Sequence, residues 1–193
     1  MPDTIKVHFI GPYSWYGQDG IPSIFSSEMK NGVYLWSVPY QDGQLVYYVG
    51  VSGRKFSVRM MEHFREHMSG SYHLNEPQAL VQGKKVMLWP GRYDPDKKVT
   101  VDDFIDAFPN LAPVIYELAK RYRFWLAPIN GDRRLRERIE AALAMHLYDQ
   151  PGIIGDFQEK GVRYLPRRQN ENLIKSVFEA DAKIYGLPDF LWV

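Results

Sequence analysis

Cysteine is absent from this chain, which excludes disulfides and thiolate metal sites and suits a reducing cytoplasm. Histidine is scarce: the 5 present show no ligand spacing, so a zinc site would have to be assembled from distant residues. No apolar run approaches the ~20 residues that span a bilayer, and the opening MPDTIKVHFIG lacks the basic and long apolar regions of a secretory signal. A cytoplasmic protein without a membrane partner is the expectation. Also missing are a Walker A loop, a dinucleotide-binding glycine turn, H-E-x-x-H and G-x-S-x-G. Charge of one sign is lacking too. With a net +1, any nucleic-acid partner has to be held by a local basic patch.

What is present reads as one globular domain over 1–193, with 45% hydrophobic and 24% charged residues and no repeats or low-complexity tracts. Aromatics reach 15%; they can pack a core or stack on bases. The stretch GVYLWSVPYQDGQLVYYVG, residues 32–50, sets two strand-forming runs about an Asp-Gly turn, the pattern of a β-hairpin. Its tyrosines crowd the glycines at both ends: Tyr34 near the start, Tyr47 and Tyr48 near the finish. Alternation sends Tyr34 and Tyr48 toward one face and Tyr47, one residue off, toward the other, where its role is structural.

Before the hairpin, 1–29 reads as an irregular arm with one short strand, Ile5 to Ile10. After it, FSVRMMEHFREHM carries Met60, Met61, Phe64 and Met68 as a helical apolar stripe. Residues 70–122 are loop-rich, with a short strand in KKVMLW that Pro90 stops, a helix from Val101 capped by Thr100, and a second helix from Ala112 to Tyr122. RFWLAPI (123–129) has strand character, and RRLRERIEAALAMHL is a strong helix. The 151–193 extension holds a basic cluster, RYLPRR, and a helical pattern near 171–185.

The order of these pieces resembles the GIY-YIG nuclease superfamily: GVY (32–34), YVG (48–50), a helix with Phe56, Arg59 and His63, then a strand, then a helix with a glutamate. The Arg-x-x-x-His form is similar to the branch that includes several restriction endonucleases. The resemblance covers about 30–150, with 70–122 as an insertion. It implies an α+β fold with a small central antiparallel sheet of about three strands flanked by helices. It also implies an endonuclease of double-stranded or branched DNA using one Mg2+ or Mn2+ per site, in which Tyr34 takes the proton of the attacking water, Arg59 stabilises the phosphorane-like transition state and Glu140 binds the metal. The family's late asparagine is matched by either Asn170 or Asn172.

The residues bear this chemistry unevenly. A free phenol titrates near 10 and is ionised about one part in a thousand at pH 7, so Tyr34 needs a cation nearby, supplied by Arg59, Lys55 or the metal. Arg59 and His63 at i and i+4 share a helix face; an arginine there also serves as a salt bridge. His63 suits a phosphate donor, a second base, or a plain surface histidine. Periodicity sets Glu140 at the boundary of an apolar side made by Leu135, Ile139, Leu143 and His146, and sets Glu137 in solvent. One carboxylate completed by waters and phosphate oxygens suits Mg2+, whereas a solvated glutamate paired with Arg133 or Arg136 is the plain reading. Basic pairs and clusters at Arg54-Lys55, Lys84-Lys85, Arg133 to Arg138 and Arg163 to Arg168 either face one DNA groove or scatter over the surface. The rival function is a nucleic-acid-binding module that keeps the fold without cutting. One such site cuts one strand at a time, so double-strand cleavage calls for a homodimer or two events.

Overall fold

Every residue from Gly32 to Val38 is buried, which a strand achieves only when both of its faces are covered. The computed structural model describes residues 3–94, 96–159 and 162–193, and it sets this segment in the interior of a sheet. Strand β1 is Thr4–Tyr13, β2 is Lys30–Tyr40 and β3 is Gly43–Lys55. β2 and β3 form the expected antiparallel hairpin, with Gln41 and Asp42 as its two-residue turn and Gly43 already paired to Tyr40. Helix α1 (Phe56–Met68) follows, then a two-stranded ribbon of β4 (Leu74–Asn75) and β5 (Met87–Trp89) with α2 (Pro77–Val81) between them. After α3 (Val101–Arg121), β6 (Arg123–Pro128) lies antiparallel on the other side of β2, and α4 (Arg133–Tyr148) comes next.

The fold is α+β, but the sheet is larger than the three strands expected. Among the described residues it is a mixed seven-stranded sheet, in which β7 (Lys175–Ala180), β8 (Ile184–Tyr185) and β9 (Phe190–Trp192), after the short helix α5 (Ile153–Phe157), join β1, β2, β3 and β6. Its order is β8-β3-β2-β6-β1-β7-β9, with β1–β7 and β3–β8 parallel. The reason lies in the two ends of the chain. The arm buries Val7 and Phe9 with His8 exposed between them, and the extension buries Ser176 and Phe178 about Val177. That period of two makes both segments strands, and the helical pattern expected near 171–185 gives way to β7 and β8.

Two other helices also differ from expectation. Residues 101–121 form one helix, not two, started by a reciprocal Thr100–Asp103 capping box. Pro109 and Pro113 are inside it but on its exposed side, where carbonyls that lose a partner can bond water. In α1 the buried line is Phe56, Met60, His63 and His67, while Met68 is exposed. The imidazoles take the inner positions because the sheet meets α1 with rings: Trp36 lies edge-on to both histidines, and Trp15 packs on His67.

That face of the sheet is an aromatic core, with Trp15, Tyr34, Trp36, Tyr122 and Phe124 in contact. The opposite face is mostly aliphatic, where Ile139, Leu143 and Leu147 of α4 cover Val33, Leu35, Val46 and Val49. The α4 arginines are occupied with the C-terminal segment. Arg134 pairs with Glu171 at 2.6 Å, and Arg138 donates to the carbonyls of Asn172 and Val193. Glu137, expected in solvent, is largely covered and pairs with Arg133 and Arg134. Among the described residues no helix is long and apolar enough to cross a membrane.

Gly32 marks where the sheet is tightest. A Cβ there would meet the Ala127 carbonyl oxygen at 2.0 Å and the Phe56 ring at 2.9 Å, whereas one on Gly53 meets nothing within 4 Å. Gly32→Ala is expected to cost about 3 kcal/mol or more, because strand backbone cannot yield as a side chain can. Gly53→Ala, in extended backbone, should be neutral or stabilising by up to ~1 kcal/mol. Urea midpoints at unchanged m-value measure both, and equal effects would contradict this account.

Candidate functional site

Tyr34 stands opposite Gly50 in the β2–β3 register, and the phenol lies directly over that glycine. A Cβ on Gly50 would fall 2.3 Å from both Cζ and Oη of Tyr34. This is why the hairpin sets its tyrosines beside its glycines: the missing side chain is the space the ring occupies.

From there Tyr34 Oη reaches His63 Nε2 of α1 at 2.7 Å, and His63 Nδ1 lies 2.9 Å from Tyr72 Oη. Burial, then the charge of Arg59 and the nearby His67, bring His63 down to about 3, so the imidazole is neutral. A neutral ring donates from one nitrogen and accepts at the other, and the two phenols satisfy both. Burying it unpaired would cost about 1–3 kcal/mol.

Arg59 lies one helical turn before His63, partly exposed, with Nη1 3.1 Å from Glu62. Tyr48, diagonal to Tyr34, has its ring 6.1 Å away. Glu140 approaches from α4 on the other face of the sheet. It can do so because β8 covers β3 only at Gln44 and Leu45, which leaves the later part of β3 as an open edge. The structure thus brings together Tyr34, Tyr48, Arg59, His63 and Glu140 from four elements.

The electrostatics correct one expectation. Tyr34 is fully buried, and burial pushes its phenol well above 10, with Tyr48 and Glu140 adding to the rise and Arg59 opposing it. The cation beside it is outweighed, so no standing phenolate exists in this state. Glu140 is raised to about 7 by burial and by Glu137, against the Val51 amide and Arg59. Among the described residues it takes part in no salt bridge, and no three His, Cys, Asp or Glu side chains gather as a metal cage. A half-buried carboxylate in no ion pair, with the neighbouring Arg59 outweighed by burial, is a donor set that fits a hard divalent ion keeping most of its waters.

Beside the cluster opens a cavity of about 770 Å³, lined in part by Tyr48, Arg59 and His63. Tyr47 lines it too, against the expectation that it faces the other way. Trp36 pairs with Tyr48 but Ser37 with Val46, so Tyr47 is the extra residue of a β-bulge. The bulge breaks alternation and turns Tyr47 and Tyr48 to the same face.

Other expected residues lie elsewhere. Arg54 is ion-paired to Glu62 at 2.7 Å and Lys55 to Glu28. Asn170 and Asn172 are exposed at the C-terminal segment held by Arg134 and Arg138, and neither lines the cavity. Lys85, named only as half of a basic pair, lines the cavity, and residues the sequence reading missed include Tyr72, His67, His73, Asn75 and Glu159. Only His67 carried a signal, since 59, 63 and 67 repeat at i+4. Compared with family models, curated proteins and solved structures, the chain matches none of them.

His63 and His67 both titrate near 3, against 6.5 for a free imidazole. The unfolded chain therefore binds the extra protons, and their contribution to stability is complete above pH 6.5 and lost as pH falls toward 3. Glu140, raised to about 7 from 4.5, acts in the opposite sense, its contribution fading as pH rises through that range. Two histidines outnumber one glutamate. The expected result is a urea midpoint that falls from pH 7 to 5 while the imidazole NMR signals of both residues stay fixed. Signals that titrate near 6.5 would refute the buried neutral pair.

Proposed function

We propose that the chain is a metal-dependent nuclease of the GIY-YIG type, hydrolysing DNA phosphodiester bonds at the open edge of β3. The observation that carries this reading is the convergence of the five motif residues, from β2, β3, α1 and α4, beside the cavity. Arg59 is the phosphate ligand: it is cationic, partly exposed and on the cavity wall, and a guanidinium there stabilises charge developing on phosphate oxygens. Glu140 holds the divalent ion, whose chemistry when bound is to neutralise phosphate charge and acidify a coordinated water.

Tyr34 plays a different part from a free base. It anchors His63. A histidine that titrates near 3 is protonated about one part in ten thousand at pH 7, so Tyr34 gives its proton to His63 Nε2, 2.7 Å away, only as the phenol oxygen takes another from the attacking water. A phosphodiester against Arg59 offsets one of the charges that depress His63 but offsets the same charge at Tyr34, so the path from Tyr34 Oη to His63 Nε2 is a route for that proton and not a standing transfer. Tyr48 and Tyr72 flank this route from the cavity side. The alternative is a nucleic-acid-binding module that does not cut, and the full burial of Tyr34 is the observation that favours it.

Nicking of supercoiled plasmid with Mg2+ or Mn2+, set against EDTA, separates the two. Glu140→Gln should abolish nicking across a metal titration while DNA affinity at fixed ionic strength holds or rises, since one anion near phosphate is removed. Nicking by that variant at the wild-type rate and metal dependence would move the metal site elsewhere.

Arg59→Ala should fold normally by circular dichroism, because the guanidinium is partly exposed, yet cleave roughly 10²-fold more slowly. An unchanged rate would reduce Arg59 to a partner of Glu62.

A further inference from the structure

The cavity has more room and more chemistry than a phosphate needs. Its 770 Å³ lies in the range of small-molecule sites, and its two ends differ. At one end are Arg59, Tyr48 and His63, shared with the cluster above. At the other, Tyr47 Oη lies 2.5 Å from His73 Nε2, which is 3.2 Å from the Glu159 carboxylate, and Lys85 Nζ lies 3.7 Å from that same carboxylate oxygen. Between them are ring faces and edges, those of Trp36, Tyr72, Tyr93 and Tyr122.

Several lining residues also carry buried polar atoms with no hydrogen-bond partner: Nε1 of Trp36, Nε2 of His67 and Nδ2 of Asn75. His67 and Asn75 are each at most 2% exposed. Unpaired buried polar atoms in a native fold call for an explanation, and here the residues that carry them line one space. The occupant that answers them is flat, stacks on aromatic rings, and carries acceptors for Trp36 and Asn75 with a donor for Glu159. The hydrogen-bonding edge of a nucleobase has these properties, and stacking between rings is how proteins hold a base outside a helix.

We propose that this cavity receives an unpaired nucleobase belonging to the nucleotide whose phosphate sits on Arg59. This rests on the nuclease reading for the phosphate and adds the substrate class: single-stranded or locally unpaired DNA, since a base inside a duplex cannot enter. Cavity and cluster share three wall residues, so base and phosphate of one nucleotide occupy neighbouring ends of one space.

The test is calorimetric titration of the full chain, without metal, with dAMP, dGMP, dCMP and dTMP against 2-deoxyribose 5-phosphate. At least one nucleotide is expected to bind tenfold or more tighter than the sugar phosphate. Tyr93 is an exposed wall residue whose ring lies 6.1 Å from that of Tyr72. Tyr93→Ala should weaken nucleotide binding by about tenfold through lost stacking, while Tyr93→Phe, which keeps the ring, should not. Asn75→Ala should weaken it as well; if that buried change unfolds the chain, the Tyr93 pair decides alone. Equal binding of nucleotides and sugar phosphate, or equal effects of Tyr93→Ala and Tyr93→Phe, would overturn the proposal. Plasmid nicking without base-dependent binding would sink the base pocket and leave the nuclease standing. Base-dependent binding without nicking would support the pocket and sink the cleavage reading.

Discussion

The contact between Tyr34 and His63, 2.7 Å long and closed to solvent, is the interaction on which the rest of this molecule depends. It joins the interior strand β2 to the first helix through an aromatic core that offers few other polar partners. It exists only because Gly50 leaves room for the phenol and because the imidazole stays neutral. Loss of either partner would strand the other as a buried polar group, at about 1–3 kcal/mol. The same contact sets the rotation of α1, and so turns Arg59, one turn earlier, toward the cavity. Fold and candidate chemistry share these side chains, so a substitution here has to be judged on both at once.

How much of this could be read from residues alone divides along the range of the interactions. The hairpin, the RFWLAPI strand, the α1 and α4 helices and the Thr100 cap are local patterns, and periodicity exposes them. The five motif residues were singled out by the resemblance in the order of GVY, YVG, Arg-x-x-x-His and a later glutamate, and periodicity added only the boundary position of Glu140. Tyr47 was not legible, because a bulge depends on how β3 registers against β2 and leaves no trace in β3's own alternation. The β7 strand was hidden by a helical pattern across 171–185 that its pairing with β1 overrides. In α3, two prolines argue for a break, yet both fall on the exposed side, where the lost bonds matter least. Asn75 and Glu159 reach the cavity from segments far apart in sequence, and nothing near either residue hints at the other.

The arginines illustrate the same limit in terms of charge. The cluster from Arg133 to Arg138 reads as a DNA-binding stripe, but much of it is committed to Glu137, Glu171 and the carbonyls of the C-terminal segment. Arg136 and Arg138 are buried outright. Those bonds hold the last strands against the sheet. Arg54 and Lys55 have acidic partners as well. Basic composition therefore overstates the cationic surface, and Arg59 is the cation that both reaches the cavity and touches the motif residues.

That arrangement leaves the cluster with an excess of suppressed negative charge. Glu140, Tyr34 and Tyr48 are each shifted toward the neutral form, chiefly by burial; Glu140 adds to the rise of both phenols and Tyr48 adds to that of Tyr34. Arg59 opposes the rise in all three and is outweighed in all three. A group of coupled acids displaced in one direction shares a single remedy, further positive charge at the same place. A purely structural cluster would be better served by hydrophobic replacements, which have no charged form to suppress. These acids instead stand half-compensated beside a space open to ligands, at the open edge of β3 where α4 and α1 approach from opposite faces of the sheet. The imbalance is what the proposed cation and anionic substrate would relieve at this edge.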